Sequence, residues 1–210
     1  MDKDNAMVSV SREDYHNKIK AVLSEPVDMK LKKGPTSTME RRASSPIKMA
    51  DIPDDTVKRV IPHASVAPRV YGLPNIHMEE TPLRPIVNCI ASPTQNLARY
   101  LAGILSPFVG QSEHHIKNSE TFLQKIQSIV LKDTDTMVCI DVVALFTSVP
   151  LEDTLQIFSQ KFHRETVDLM KQVLTKTYFL YDGSFFPSGG RNGHRIPPDA
   201  GSGKLLHGTL

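Results

Sequence analysis

The sequence predicts an α/β chain of the α+β kind, an incomplete antiparallel sheet with helices packed on it, and three observations carry this. Two strand-like runs, Arg69 to Pro74 and Arg84 to Ile90, are separated by a polar stretch, Asn75 to Pro82, long enough for a hairpin connection. A second pair of runs, YFLYDGSFF at Tyr178 to Phe186, surrounds Asp182-Gly183, the dipeptide that a tight hairpin turn prefers. Between them Leu97, Leu101, Ile104, Leu105 and Phe108 recur with helical spacing. At 210 residues and 40% hydrophobic content the chain can supply the core of one sizeable domain or two small ones.

Taken in order, Ala6 to Val10 reads as a strand. Ser11 follows as a helix N-cap with Asp14 three residues on, opening a helix with Tyr15, Ile19, Val22 and Leu23 on its apolar face. Over residues 25–68 the pattern fails. Pro26, Pro35, Pro46, Pro53, Pro62 and Pro68 interrupt it, while Lys30, Lys32, Lys33, Arg41, Arg42 and Lys48 make it basic. This predicts a loose basic connector, either a solvated linker or a surface for a phosphate backbone. Ser92-Pro93 reads as an N-cap followed by proline at the first helical position. A further helix follows Asn118 and Ser119, with Phe122, Ile126, Ile129 and Val130 on one face. His114-His115, between the two helices, reads as loop or packing rather than as a metal pair, because other ligand types are few nearby.

Met137 to Ile140 is a continuous apolar run, which suits a strand covered on both faces, and Asp141 stands at or just past its C-terminal end. Open sheets bind ligands there. A carboxylate beside an apolar strand must be hydrogen-bonded, paired or bound to a cation; an Asp closing a turn through its own backbone bonds is the alternative. Pro150 fits the first turn of a helix carrying Leu151, Leu155, Phe158 and Phe162, and Glu165 begins another with Val167, Met170, Val173 and Leu174. Both are expected to cover the sheet. Pro187 to Leu210 holds six of the eleven glycines and no amphipathic period, the text of a flexible tail.

With 25 basic and 23 acidic residues the net charge is +2, so any nucleic-acid contact must come from a local patch. Cys89 and Cys139, far apart in apolar runs, suggest buried reduced thiols and hence an intracellular protein of nucleus or cytoplasm, not a secreted one. No apolar stretch reaches membrane-spanning length, and the polar start lacks signal-peptide order.

Several ordered strings point further. YGLPNIH at Tyr71 to His77, PLRPIVNCIASPTQNLARYL at Pro82 to Leu101, EHHIKNSETF at Glu113 to Phe122 and DVVALFTSVP at Asp141 to Pro150 together resemble the reverse transcriptases of Penelope-like retroelements. MDKDNA at the start is similar to that family's D-K-G-N-A, so the resemblance runs through the YFLYDGSFF hairpin. It implies the fingers of a right-hand polymerase over residues 1–136, the first part of a palm over 137–187, and a tail, 188–210, that belongs to neither. The implied activity is RNA-directed DNA polymerisation by two-metal nucleotidyl transfer, with an RNA template, a DNA primer, deoxynucleotide triphosphates and Mg2+.

The resemblance also assigns roles. Asp141 matches the first metal-binding, catalytic aspartate, and Val142 would lend its backbone carbonyl to a metal. Phe146 matches the aromatic beneath the incoming sugar, with core packing as its other role. Arg84 matches the basic residue that clamps the triphosphate, a task for a guanidinium fork, with a plain surface position as the alternative. Lys3 matches a second phosphate contact. Two departures weaken the match: Asn75 and Met78 stand where the family usually has lysines, and the glycine-rich segment QxDGxAMGSPxSPxxANLxMExFE and the paired aspartates after it are not legible. The expectation is therefore a fragment without polymerase activity; alternatives are a non-catalytic nucleic-acid-binding remnant and an unfolded product with exposed edges.

The tail contains that segment in another frame. A peptide A-N-F-F-M-E-H-F, encoded GCA AAC TTC TTC ATG GAA CAC TTT, gives AAA CTT CTT CAT GGA ACA CTT from its third base. That translates as Lys-Leu-Leu-His-Gly-Thr-Leu, the sequence of Lys204 to Leu210. The same offset converts G-S-P into Ile196-Pro197 and Q-V-D-G into Gly189-Gly190-Arg191, while Arg195 departs from it. A frameshift near Pro187 is the implied cause.

Overall fold

A computed structural model describes residues 8–23, 31, 33–76, 80–127, 129–130, 132, 134–140, 149–175, 177–187 and 198–199. Helix α1 (Arg12–Val22) begins where the Ser11 hydroxyl accepts the Asp14 N–H at 3.1 Å, with Glu13 and Asp14 against the positive end of the helix dipole. Ile19 and Leu23 are fully buried, and Val22 turns outward. Ahead of it, Val8 to Val10 form no strand, a correction to the strand expected over Ala6 to Val10, whose first two residues lie outside the described ones. These residues have no neighbouring strand among the described residues to supply a ladder of hydrogen bonds.

The stretch expected to be a loose connector instead holds α2 (Thr36–Met49) and α3 (Asp54–Val60). Its prolines sit where a helix tolerates them, Pro35 and Pro53 each standing at an N-cap. Ala43 and Ile47, one turn apart on α2, are buried, as is Val60 at the end of α3. Pro46 lies inside α2 and cannot donate to the Arg42 carbonyl four residues back. The side-chain amide of Gln172 donates to that carbonyl instead, at 3.0 Å, and Gln172 is itself only 5% exposed.

Strands β1 (Arg69–Pro74) and β2 (Leu83–Asn88) pair antiparallel, as do β3 (Tyr178–Tyr181) and β4 (Ser184–Pro187). Asp182 and Gly183 both take positive φ, 45° and 71°, as a two-residue turn matched to strand twist requires. The sheet runs β4-β3-β1-β2 with the two-residue β5 (Pro198–Asp199) beside Val87 and Asn88. Since β1 pairs β3 in parallel and β2 pairs β5 in parallel, the sheet is mixed, correcting the antiparallel one expected. Between β2 and β3 the chain passes through four α-helices among the described residues, a return long enough to enter the sheet in either sense. Two residues of the tail, expected to stay unpacked over 188–210, thus sit on the sheet edge; the others lie outside the described residues.

Those four helices are α4 (Gln95–Leu105), α5 (Ser119–Ile126), α6 (Leu151–Lys161) and α7 (Arg164–Thr175). Helix α4 starts later than Ser92-Pro93 suggests: Ala91 turns the chain at φ 57°, and the Ser92 carbonyl accepts the Gln95 N–H at 3.2 Å. Asn118 caps α5 by accepting from the Thr121 N–H and hydroxyl, at 2.9 and 2.8 Å. Because α5 ends at Ile126, Ile129 and Val130 lie beyond its face and are exposed.

Two apolar clusters result. One joins α1 to the sheet through Ile19, Leu23, Val70, Leu83, Val87, Phe179 and Phe186. The other joins helices through Ile47, Val60, Leu97, Leu101, Leu169 and Met170. Helix α7 packs with α2, α4 and α6, so α6 and α7 build a helical layer of their own rather than covering the sheet as expected. The Tyr178 hydroxyl donates to Thr36 Oγ1 at 2.9 Å and so ties β3 to the first turn of α2.

Met137 to Ile140, expected as a buried central strand, is instead irregular chain exposed to water, with Met137, Val138 and Ile140 77%, 71% and 86% exposed. An isolated extended segment gains neither ladder bonds nor a covered face, and none of the described strands lies against it. The expectation for the thiols is corrected with it: Cys139 is exposed and Cys89 half-buried.

Candidate nucleic-acid interface

Alternation along the β1–β2 hairpin separates two faces. Val70 opposite Val87, Gly72 opposite Pro85 and Pro74 opposite Leu83 make one; Arg69 opposite Asn88, Tyr71 opposite Ile86 and Leu73 opposite Arg84 make the other. The first face is held on α1. A Cβ on Gly72 would come within 2.9 Å of Leu83 Cδ1 and 3.1 Å of Ile19 Cδ1, so only glycine permits this approach. The Gly72 N–H donates to the Tyr15 hydroxyl at 2.7 Å rather than across the hairpin, so Pro85 opposite it costs the ladder no bond. At the far end Lys18 donates to the Glu80 carbonyl at 2.8 Å and pairs with Asp14 at 3.1 Å. On the next strand, His16 Nδ1 lies 2.5 Å from the Tyr181 hydroxyl, whose pKa is raised by burial and by the charges of Asp182 and Tyr15.

The second face is therefore presented on a rigid support. It carries a guanidinium at each end, Arg69 and Arg84, roughly 13 Å apart along the strand direction, with an apolar strip between. Tyr71 is 37% and Leu73 47% exposed. Among the described residues neither arginine has an ion-pair partner, nor has Arg41, Arg42 or Lys48 on the outer side of α2. Guanidinium forks suit phosphate oxygens and an exposed aromatic ring offers a stacking plane for a base, the combination that single-strand-binding surfaces use.

Of the residues singled out in the sequence, Arg84 is on this face. Lys3, Asp141, Val142 and Phe146 lie outside the described residues. Arg69 and Tyr71 were missed, although the alternation that buries Val70 and Gly72 places both beside Arg84 once the register is known. His114 and His115 fall in an exposed loop where His114 Nε2 is 3.3 Å from Glu113 Oε1. Among the described residues no three His, Cys, Asp or Glu side chains come together around a point that could hold a metal ion, and no helix is long and apolar enough to cross a membrane.

The structure thus defines a mixed α/β chain with a basic and aromatic hairpin face. No protein-family model, curated protein or solved structure matches it.

Proposed function

We propose that this chain is the fingers and first part of the palm of an RNA-directed DNA polymerase of the Penelope-like retroelement kind, retaining nucleic-acid binding and lacking catalysis. The observation that carries the proposal is the outward hairpin face, where Arg84 and Arg69, without ion-pair partners among the described residues, flank Tyr71, Ile86 and Leu73. The strings that resemble the family also fall on consecutive elements around it, one beginning in β1 and the next running from β2 into α4. On this reading 1–136 are fingers, 137–187 the start of the palm, and 188–210 a frameshifted tail in a nuclear or cytoplasmic protein. Arg84 and Arg69 hold phosphates of template, primer or nucleotide, and Tyr71 stacks on a base. Lys3 and Phe146 keep the nucleotide-binding roles the resemblance gives them, and Asp141 and Val142 the metal-binding ones.

Magnesium is the cofactor the reaction requires, supplying the charge that activates the primer hydroxyl and neutralises pyrophosphate. Among the described residues no three His, Cys, Asp or Glu side chains come together to hold it.

The test uses the purified full chain and a primed RNA–DNA hybrid. Binding is expected to weaken steeply with salt, and Arg84→Ala with Arg69→Ala to reduce both the affinity and the salt slope, by about one unit of slope per lost phosphate contact. No magnesium-dependent primer extension is expected. Salt-independent binding that the double variant leaves unchanged sinks the proposal; incorporation lost in Asp141→Ala overturns its inactive half. Reading the coding DNA across Pro187 in the other frames tests the family: it should yield the glycine-rich string.

A further inference from the structure

We propose that Ser44 is a phosphorylation site for an arginine-directed serine kinase, and that the phosphate closes onto Arg41 and Lys48 across an open groove on α2. The sequence Arg41-Arg42-Ala43-Ser44 sets two guanidiniums three and two residues before a hydroxyl, the charge pattern such kinases read with acidic docking residues. The fold supplies a destination for the phosphate. A groove of about 480 Å³ lies over this stretch, lined by Glu40, Arg41, Ser44, Ser45, Lys48 and Met49. On a helix, Arg41 at i−3 and Lys48 at i+4 share the face of Ser44. Ser45 also has two cations at helical spacing, Arg42 at i−3 and Lys48 at i+3, but it is followed directly by Pro46, so it is the competing hydroxyl from which Ser44 must be told apart.

Glu40 is the one acid lining the groove, and its carboxylate is engaged elsewhere, accepting from the Ser65 N–H and hydroxyl at 3.2 and 3.0 Å. Neither Arg41 nor Lys48 has an ion-pair partner among the described residues. The groove therefore holds two cations that make no ion pair among the described residues, with the Glu40 carboxylate held toward Ser65 at its wall. Access requires α2 to open, because a kinase takes its substrate extended. Two features lower that cost: Pro35 makes no side-chain cap bond, and the first turn has no acidic residue.

In the transfer, Ser44 Oγ forms a bond to the γ-phosphorus of ATP as the bond to ADP breaks, and the hydroxyl proton passes to the kinase's own base. The product gives up the Ser44 hydroxyl's 2.8 Å bond to the Glu40 carbonyl. In exchange it gains a charge of roughly −1.5 to −2 between Arg41 and Lys48, which neutralises the basic face of α2 and ties two of its turns together.

The full chain, incubated with a purified arginine-directed serine kinase and ATP, is expected to take one phosphate on Ser44, located by peptide mass spectrometry. Ser44→Ala should abolish it, and Arg41→Ala with Arg42→Ala should slow it at least ~tenfold. The phosphorylated chain should melt about 2–4 °C higher at low salt, and Lys48→Ala should be phosphorylated without that gain. No incorporation, incorporation on Ser45 alone, or modification of an isolated α2 peptide but not of the full chain overturns the site. An unchanged or lowered midpoint, or a full gain in Lys48→Ala, overturns the closure onto Arg41 and Lys48. None of these outcomes depends on the polymerase reading.

Discussion

The Ser92 hydroxyl is buried and has no hydrogen-bond partner among the described residues, although its place before Pro93 has the chemistry of a helix cap. The two roles make opposite demands on Ser92→Ala. Loss of a cap costs about 1 kcal/mol, whereas removing an unpartnered buried hydroxyl is neutral or stabilising. Chemical denaturation should show the second result. Tyr178 supplies a residue-scale prediction in pH. Its pKa lies above the ordinary 10.0, chiefly through burial, against which the Thr36 bond pulls down, while charge on Cys89 and Glu40 adds to the rise. A raised value means that the folded chain holds the phenol proton more tightly than the unfolded one. This stabilisation is complete below pH 10 and is lost as pH climbs through the folded value. Tyr178→Phe should flatten part of the alkaline fall in denaturation midpoint, to which Tyr181 also contributes, and should lose about 1 kcal/mol at neutral pH with the Thr36 bond.

At the scale of elements, local chemistry decides what can be read in advance. The Ser11 cap, the helix following Asn118, the Asp182-Gly183 turn and the two paired runs of the first hairpin each need only neighbours in sequence, and each is found. Helices α2 and α3 escaped because prolines in the sequence signal interruption, whereas here two stand at helix starts and the third is compensated from another element. That compensation can be measured. Gln172→Leu leaves the Arg42 carbonyl without its donor and should cost about 1–3 kcal/mol. Pro46→Ala restores a backbone N–H four residues on, so in that background the same substitution should cost distinctly less. A double-mutant cycle gives the coupling directly, and additive losses would show that Gln172 does not replace the bond Pro46 removes. The parallel entry of β3 beside β1 was beyond local reading, since it depends on where the intervening helices return the chain. The same holds at the candidate interface: Arg84 stands out as one residue, but its company with Arg69 and Tyr71 exists only in the register of the hairpin.

For the whole molecule, the two apolar clusters leave one stretch without cover. Phe122, Leu123, Ile129, Val130, Met137, Val138 and Ile140 are all exposed along nineteen consecutive positions, 122 to 140, that lead into Asp141. Apolar residues scattered singly on a surface need no explanation, but three exposed groups this close in sequence, 122–123, 129–130 and 137–140, favour burial against another surface. The sequence marks 137–140 as a strand covered on both faces because its residues are apolar without alternation; the described structure gives it no neighbour, so its hydrophobicity and its surroundings disagree. On the proposed reading the missing neighbour is the remainder of the palm, whose text is shifted out of frame. The physical consequence holds whatever the reading: the native chain should bind a fluorescent dye that reports apolar surface and should associate as its concentration rises. Val130→Ser with Ile140→Ser should reduce both, while moving stability by no more than about 0.5 kcal/mol, because these side chains support nothing beneath them. Light scattering across a concentration series, beside a thermal melt of the same variant, separates the outcomes. A chain that stays monomeric and dark to the dye would mean that 122–140 finds cover in solution, and with it a neighbour for the segment that carries Asp141.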